Sequence, residues 1–392
     1  MTEPVEAALP LRRGFVRLGG RPLVQHQLDM AIAAHCERLI CLVRALEPEV
    51  IALKHRAEAA GIQFNTVTAT RDLSALVSAQ DDLIVIYEGL LADPAVVAEL
   101  IELGSGVFVQ PVEIGLAAGF ERVDINHATA GLLRIPGRLV ETLMQMPPDC
   151  DVASTLTRIA LQARLELREI PAAARSGPGW HLITSENQAH AIEPDWIASK
   201  LADSRRIGPG QRIARAGVSV FGAPLLHAGN ASATSLTVTL VLLVVALAVA
   251  WFGFATGAFV LCALAWVTLC SAAMLRRLER PASIAESPRY GGLTAIDWAF
   301  DAVVVLLIHW AAPPVAGTGR IEALALPVTM MLLLRICGQH QSMSAVASLA
   351  DRSLLCLLLA ACALMGILEW TVALGVVALA GVILAISSNR SG

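Results

Sequence analysis

The sequence predicts a soluble α/β domain followed by an all-α membrane domain of six spans. Three observations carry that reading. The chain of 392 residues is 56% hydrophobic with a mean hydropathy of +0.64, too apolar for an ordinary soluble protein. Its charge is unevenly placed: residues 1–215 hold 21 of the 29 Lys and Arg and 26 of the 33 Asp and Glu. Short β-rich runs alternate with amphipathic runs in that first part, whereas long apolar runs fill the second.

In the first part, residues 23–35 are predicted as a helix and RLICLV (38–43) as a buried strand. A helix at 47–60, a strand at 62–67, a helix at 71–79 and a strand at 82–87 follow. Then come a helix at 94–103, a strand at 107–112, and helices at 136–145, 152–166 and 185–201. Such alternation predicts a doubly wound α/β sheet. The net charge of −5 over residues 1–215 argues against nucleic acid as a partner. Eight cysteines lack metal-like spacing, and Cys262, Cys270, Cys337, Cys356 and Cys362 fall in apolar runs. They are expected as buried thiols and not as a disulfide framework. MTEPVEAALPLRRG has no apolar core followed by a cleavage site, so no signal peptide is expected.

Residues 200–230 form a basic bridge carrying Lys200, Arg205, Arg206, Arg212 and Arg215. A basic amphipathic segment before a membrane domain is expected in the headgroup layer of the cytoplasmic leaflet. No Lys, Arg, Asp or Glu occurs from 216 to 275. Six apolar runs follow, about 231–251, 254–275, 293–312, 321–338, 353–368 and 370–387, each near the length a bilayer requires. Loop 276–292 contains Arg276, Arg277, Arg280 and Arg289, while the opposite loops carry only Arg320. The positive-inside rule then predicts a bacterial-type inner membrane protein with this loop and both termini cytoplasmic. The domains are therefore 1–199, 200–230 and 231–392.

The stretch from Glu279 to Asp301 joins the second and third runs and ends in Asp297 and Asp301. Spaced i,i+4, these carboxylates share one helix face. Acids entering a membrane segment face a partner, a metal or a water-filled cavity, or else sit at a helix start favoured by its dipole. His309 and Trp310 are expected as interfacial anchors. Arg335 either snorkels to the headgroups or faces the acidic pair. Asp351 and Arg352 are expected to cap the fifth run.

Residues 19–43, GGRPLVQHQLDMAIAAHCERLICLV, resemble the sugar-phosphate nucleotidyltransferases, as do 83–97 and 179–193. The resemblance implies a Rossmann-like nucleotidyltransferase fold over most of 10–200. The family's metal-binding acids fall on Gly89, Leu182 and Thr184, so an inactive domain is expected; Mg²⁺ requires hard oxygen ligands. Glu88 and Asp93 could substitute only with a shifted backbone. Arg21 reads as a solvated surface residue or as a leftover phosphate contact.

The second part resembles the CDP-alcohol phosphotransferases, whose signature runs D-x2-D-G-x2-A-R-x8-G-x3-D-x3-D. Its last two aspartates match Asp297 and Asp301, and its second falls on Glu279. Its first falls on Arg276 and its D-G glycine on Arg280. Asn230, Ser232 and Thr234 resemble the entrance to the family's first span. The domain order is similar to fused inositol-phosphate cytidylyltransferase and di-inositol-phosphate-phosphate synthase proteins. The resemblance implies a divalent metal (Mg or Mn) on Glu279, Asp297 and Asp301, with Asp301 as general base. Asn230, Arg276, Arg280 and Arg335 would bind substrate. The expected partners are the lipid bilayer, a CDP-linked or phosphate-bearing small molecule, and a second copy of the chain. Two readings stay open: a divergent enzyme of polar-lipid synthesis, and a silent pseudoenzyme serving as a binding or scaffold subunit.

We expect Glu279, Asp297 and Asp301 to converge on one pocket. Arg276, Arg280 or a divalent ion would supply its counter-charge.

Overall fold

The computed structural model describes residues 12–147, 150–175, 177–202, 208–279, 294–312, 322–339, 348 and 350–388. The described residues divide into two compact units, one reaching from residue 12 to 199 and one beginning at residue 200.

The first unit is α/β. Its strands are β1 Arg17–Leu18, β2 Arg21–Pro22, β3 Arg38–Leu42, β4 Gln63–Val67, β5 Asp82–Ile86, β6 Leu90–Ala92, β7 Gly106–Pro111, β8 His127–Pro136, β9 Leu167–Glu169 and β10 Trp180–Leu182. Its helices are α1 Leu23–Ala33, α2 Pro48–Ala59, α3 Thr70–Leu76, α4 Pro94–Glu102, α5 Val112–Ala117, α6 Val152–Gln162, α7 Ala172–Arg175 and α8 Glu186–Leu201. Residues Gly137–Gln145, expected as an ordinary helix, form a 3₁₀ helix.

The expected alternation is present, but the strands form small sheets instead of one doubly wound sheet. β3 pairs with β4 in parallel, β6 with β10 antiparallel, and the largest sheet runs β5-β8-β7-β9. That sheet is mixed: β8 runs antiparallel to both β5 and β7, whereas β9 pairs with β7 in parallel. Period-2 alternation in β7 divides its side chains between two cores. Phe108 joins Met30, Leu90, Val97 and Leu132, whereas Val107 and Val109 join Leu133, Ile135, Leu156 and Ile159.

The second unit is helical: α9 Pro209–His227, α10 Ala231–Trp251, α11 Ala255–Glu279, α12 Thr294–Ala311, α13 Glu322–Gln339, α14 Arg352–Met365 and α15 Leu368–Ser388. All six apolar runs are thus helical, but six membrane crossings are not supported. Among the described residues, three helices are long and apolar enough to cross a membrane: Ala231–Trp251, Ala255–Glu279 and Leu368–Ala385. α14 has 14 residues, about 21 Å at about 1.5 Å per residue, against about 30 Å of hydrocarbon. Asp351 caps its start and Gly366, at φ 72°, ends it in a left-handed turn that glycine adopts without strain. α11 is the central helix. Its Phe259, Cys262, Trp266 and Leu269 pack with Phe300 and Val304 of α12, Leu334 of α13 and Cys356 and Leu359 of α14. α10 and α15 bury far less of themselves and are apolar all round, as lipid-facing helices are.

Candidate functional site

The helical unit gathers charge around Asp301. This carboxylate is only 4% exposed, and an isolated buried charge is prohibitively costly. Two guanidiniums neutralise it. Arg335 Nε donates to Oδ2 at 2.5 Å; Arg352 donates from Nε to Oδ1 at 2.7 Å and from Nη2 to Oδ2 at 3.2 Å. Each arginine also lies over an indole, Arg335 at 3.7 Å from the Trp298 centroid and Arg352 at 4.6 Å from that of Trp266. Such stacking fixes the guanidinium planes as well as attracting their charge. Asp297, one turn before Asp301 and partly buried, lies in the field of both arginines. Arg335 Nη2 is buried without a hydrogen-bond partner.

Local sequence explains the placement. α12 carries Asp297, Trp298 and Asp301 within five residues, so its first turns present both acids and one stacking ring. Arg335 comes from the last turns of α13. Asp351 is the N-cap of α14, accepting from Ser353 N at 2.9 Å and Ser353 Oγ at 2.5 Å. Its other oxygen accepts from Gly210 N at 2.8 Å, which ties the start of α9 to the start of α14. Arg352 is the first residue of α14, where a cation opposes the helix dipole. Its pairing with Asp301 offsets that cost.

Glu279 has different partners. Its carboxylate accepts from Ser232 N at 3.1 Å and from Ser232 Oγ. Asn230, the N-cap residue of α10, is exposed and makes no side-chain cap bond, so Glu279 supplies the missing acceptor from the end of α11. Asp301, Asp297 and Arg335 are brought together; Glu279 sits with Ser232; Asn230 keeps its side chain exposed; Arg276 is partly buried in the last turn of α11. Arg280 lies outside the described residues. Asp301's counter-charge comes from Arg335 and Arg352. Asp351 caps as expected, whereas the role of Arg352 was missed. The signal for it was a cation at a helix start inside an apolar run. Trp310 meets Trp251 edge-on, with centroids 5.7 Å apart.

The positions compared with nucleotidyltransferase acids are occupied structurally. Gly89 has φ 90°, and a Cβ there would come within 2.4 Å of the Ile183 carbonyl oxygen. Glu88 accepts from Gly14 N at 3.0 Å, and Asp93 caps α4 through Ala95 N. Leu182 pairs with Leu90 across β10 and β6, and Thr184 bonds to Gln188. Arg21 is neither solvated nor free for phosphate: it is buried in an ion pair with Asp29 at 2.8 Å. A cavity of about 800 Å³ lies along β3 and β5, with Arg13, Gln27, Tyr87, Glu88 and Glu121 in its lining. Burial pushes the Tyr87 hydroxyl up to about 12, although its hydrogen bond to Thr157 acts the other way. Among the described residues, no three His, Cys, Asp or Glu side chains form a group that could hold a metal ion.

No protein-family model and no curated protein matches this chain.

Proposed function

We propose that this is a divergent CDP-alcohol phosphotransferase-like membrane protein of polar-lipid synthesis whose transfer site is catalytically silent, acting as a binding or scaffold subunit. One observation carries the reading: Asp301, the expected general base, is held by two guanidiniums in a nearly sealed position. A general base requires a lone pair within reach of the attacking hydroxyl. Both carboxylate oxygens of Asp301 already accept from arginine N–H groups. The same arginines oppose metal binding. A divalent ion about 4 Å from one guanidinium meets about 8 kcal/mol of repulsion at an effective dielectric near ~20. Clashing space at Gly89 supports an equally silent nucleotidyltransferase-like unit.

The test uses purified membranes containing the protein, CDP-linked donors and Mg²⁺ or Mn²⁺. No release of CMP is expected. Metal-dependent CMP release that Asp301→Asn abolishes would establish the active-enzyme alternative instead.

The proposed setting is a bacterial-type inner membrane with both termini cytoplasmic. The arginine excess in 276–292 supports it. So does the meeting of the start of α12, the end of α13 and the start of α14 around Asp301, which supports these three helix ends lying on one side. A C-terminal tag reached by membrane-impermeant reagent only from outside would refute this topology.

A further inference from the structure

Helix α9 buries one ridge of residues and leaves large apolar and basic side chains exposed. Gly210, Ala214, Val218, Gly222 and Leu226 are buried, and the helix packs on α11 and α14. The Asp351 bond to Gly210 N anchors its first turn and thereby its rotation. Turned away from the bundle, Ile213, Val220 and Phe221 are 62%, 67% and 64% exposed, with Leu225 beside them. At about 100° per residue Ile213 and Val220 lie within about 20° of each other and Phe221 and Leu225 within about 40°, so they form two exposed rows, the second following the buried ridge as it winds round the helix. Arg212 is exposed and Arg215 half-buried. Neither has an acidic partner among the described residues, and no Asp or Glu occurs from 208 to 230. α10, which is long and apolar enough to cross a membrane, begins only three residues after α9 ends.

We propose that the outer face of α9 is a docking surface for an anionic bilayer. The helix lies in the membrane plane, with Ile213, Val220, Phe221 and Leu225 among the acyl chains and the two arginines on headgroup phosphates. Continuity with α10 sets the helix at the depth where water gives way to hydrocarbon, the level amphipathic helices occupy. The cationic flank without acids selects the charge of the lipid. This assignment is independent of whether the Asp301 site is silent.

The test places a photo-crosslinking phenylalanine analogue at position 213 or 221 of the full chain, in nanodiscs of equal neutral and anionic phospholipid. Ile125 of the α/β unit, 86% exposed, is the aqueous control. Positions 213 and 221 are expected to yield phospholipid adducts and position 125 none. Anionic lipid should be over-represented roughly fivefold per arginine engaged. In R212Q/R215Q, lipid adducts should persist with the anionic excess gone. Adducts mainly to polypeptide, or labelling no greater than at position 125, would overturn the docking surface. An unchanged lipid ratio in R212Q/R215Q would overturn the anionic preference.

Discussion

Replacing Arg352 with glutamine tests the charge logic of the helical unit directly. The substitution removes two hydrogen bonds to Asp301, at 2.7 and 3.2 Å, and the guanidinium over Trp266. Breaking a buried ion pair costs about 3–5 kcal/mol when the stranded charge has no other partner. Here Arg335 remains on Asp301 at 2.5 Å, so the stranded charge keeps one cation. Glutamine also retains a donor. The expected loss is therefore about 2–3 kcal/mol, of which the lost stacking accounts for about 0.5–1 kcal/mol. Reversible unfolding in mixed micelles measures it, and a double-mutant cycle with Asp301→Asn isolates the pair. The double variant should be less destabilised than the sum of the singles, with a coupling of about 1.5–2 kcal/mol. Additivity within about 0.5 kcal/mol would show that Arg352 and Asp301 do not stabilise each other, and the twin-arginine account would fall.

Other consequences follow from the same geometry. Glu279→Ala should cost about 1–2 kcal/mol by uncapping α10. Ser232→Ala should add little on top of it; full additivity in micelle unfolding would separate the two residues. Gly89→Asp restores an acid where the nucleotidyltransferase comparison expects one. Its side chain meets the Ile183 carbonyl and must adopt φ 90°, so a loss of about 2–4 kcal/mol is expected without gain of Mg²⁺ affinity. Calorimetry showing tight Mg²⁺ binding would contradict it. Burial lowers the His181 pKa from its ordinary 6.5. The unfolded state then binds the extra proton first, so local stability is full above 6.5 and falls as pH drops toward the lowered value. Hydrogen-exchange protection in β6 and β10 of the full chain, corrected for the intrinsic pH dependence of exchange, should fall over that window and become flat in His181→Gln; an unchanged pH slope in that variant would rule His181 out.

Much of the local structure was legible because local chemistry determines it. β3, β4, β5 and β7 follow from short β-rich runs, and their ends lie within about two residues of the expected ones. β8 was not legible. HATAGLLRIP has little β-branching and contains Gly131 at φ 76°, a residue that weakens a strand signal. Its place between β5 and β7 comes from burial on both faces of a sheet, which no local pattern encodes. β6 and β10 have three residues each and exist through each other. Among the described residues only three of the six apolar runs form helices long and apolar enough to cross a membrane, for a related reason. Hydropathy locates an apolar run, but the ends of α14 are decided by the Asp351 cap and the Gly366 turn, and these leave 14 helical residues.

The i,i+4 pair on α12 was visible as a feature that required a counter-charge; Arg335 was one candidate to face it, whereas Arg352 was not. Arginines at 276 and 280 were close in sequence, and a loop could fold them back. Arg335 and Arg352 are 34 and 51 residues from Asp301. What selects Arg352 is a conflict visible at its own position. Asp351 favours the helix start it caps, whereas a cation at the next residue opposes the dipole of the same helix. Such a dipeptide in an apolar setting is stable only if the cation has an acid of its own. Asp301, which otherwise shares its charge with Arg335 alone, supplies that acid. Each charge thus resolves a cost created elsewhere: the acid on α12 needs a cation in an apolar surround, and the cation on α14 needs an acid to sit at a helix start. An intramembrane acid and a misplaced basic residue in one sequence are therefore best read as partners before either is assigned to a metal or a substrate.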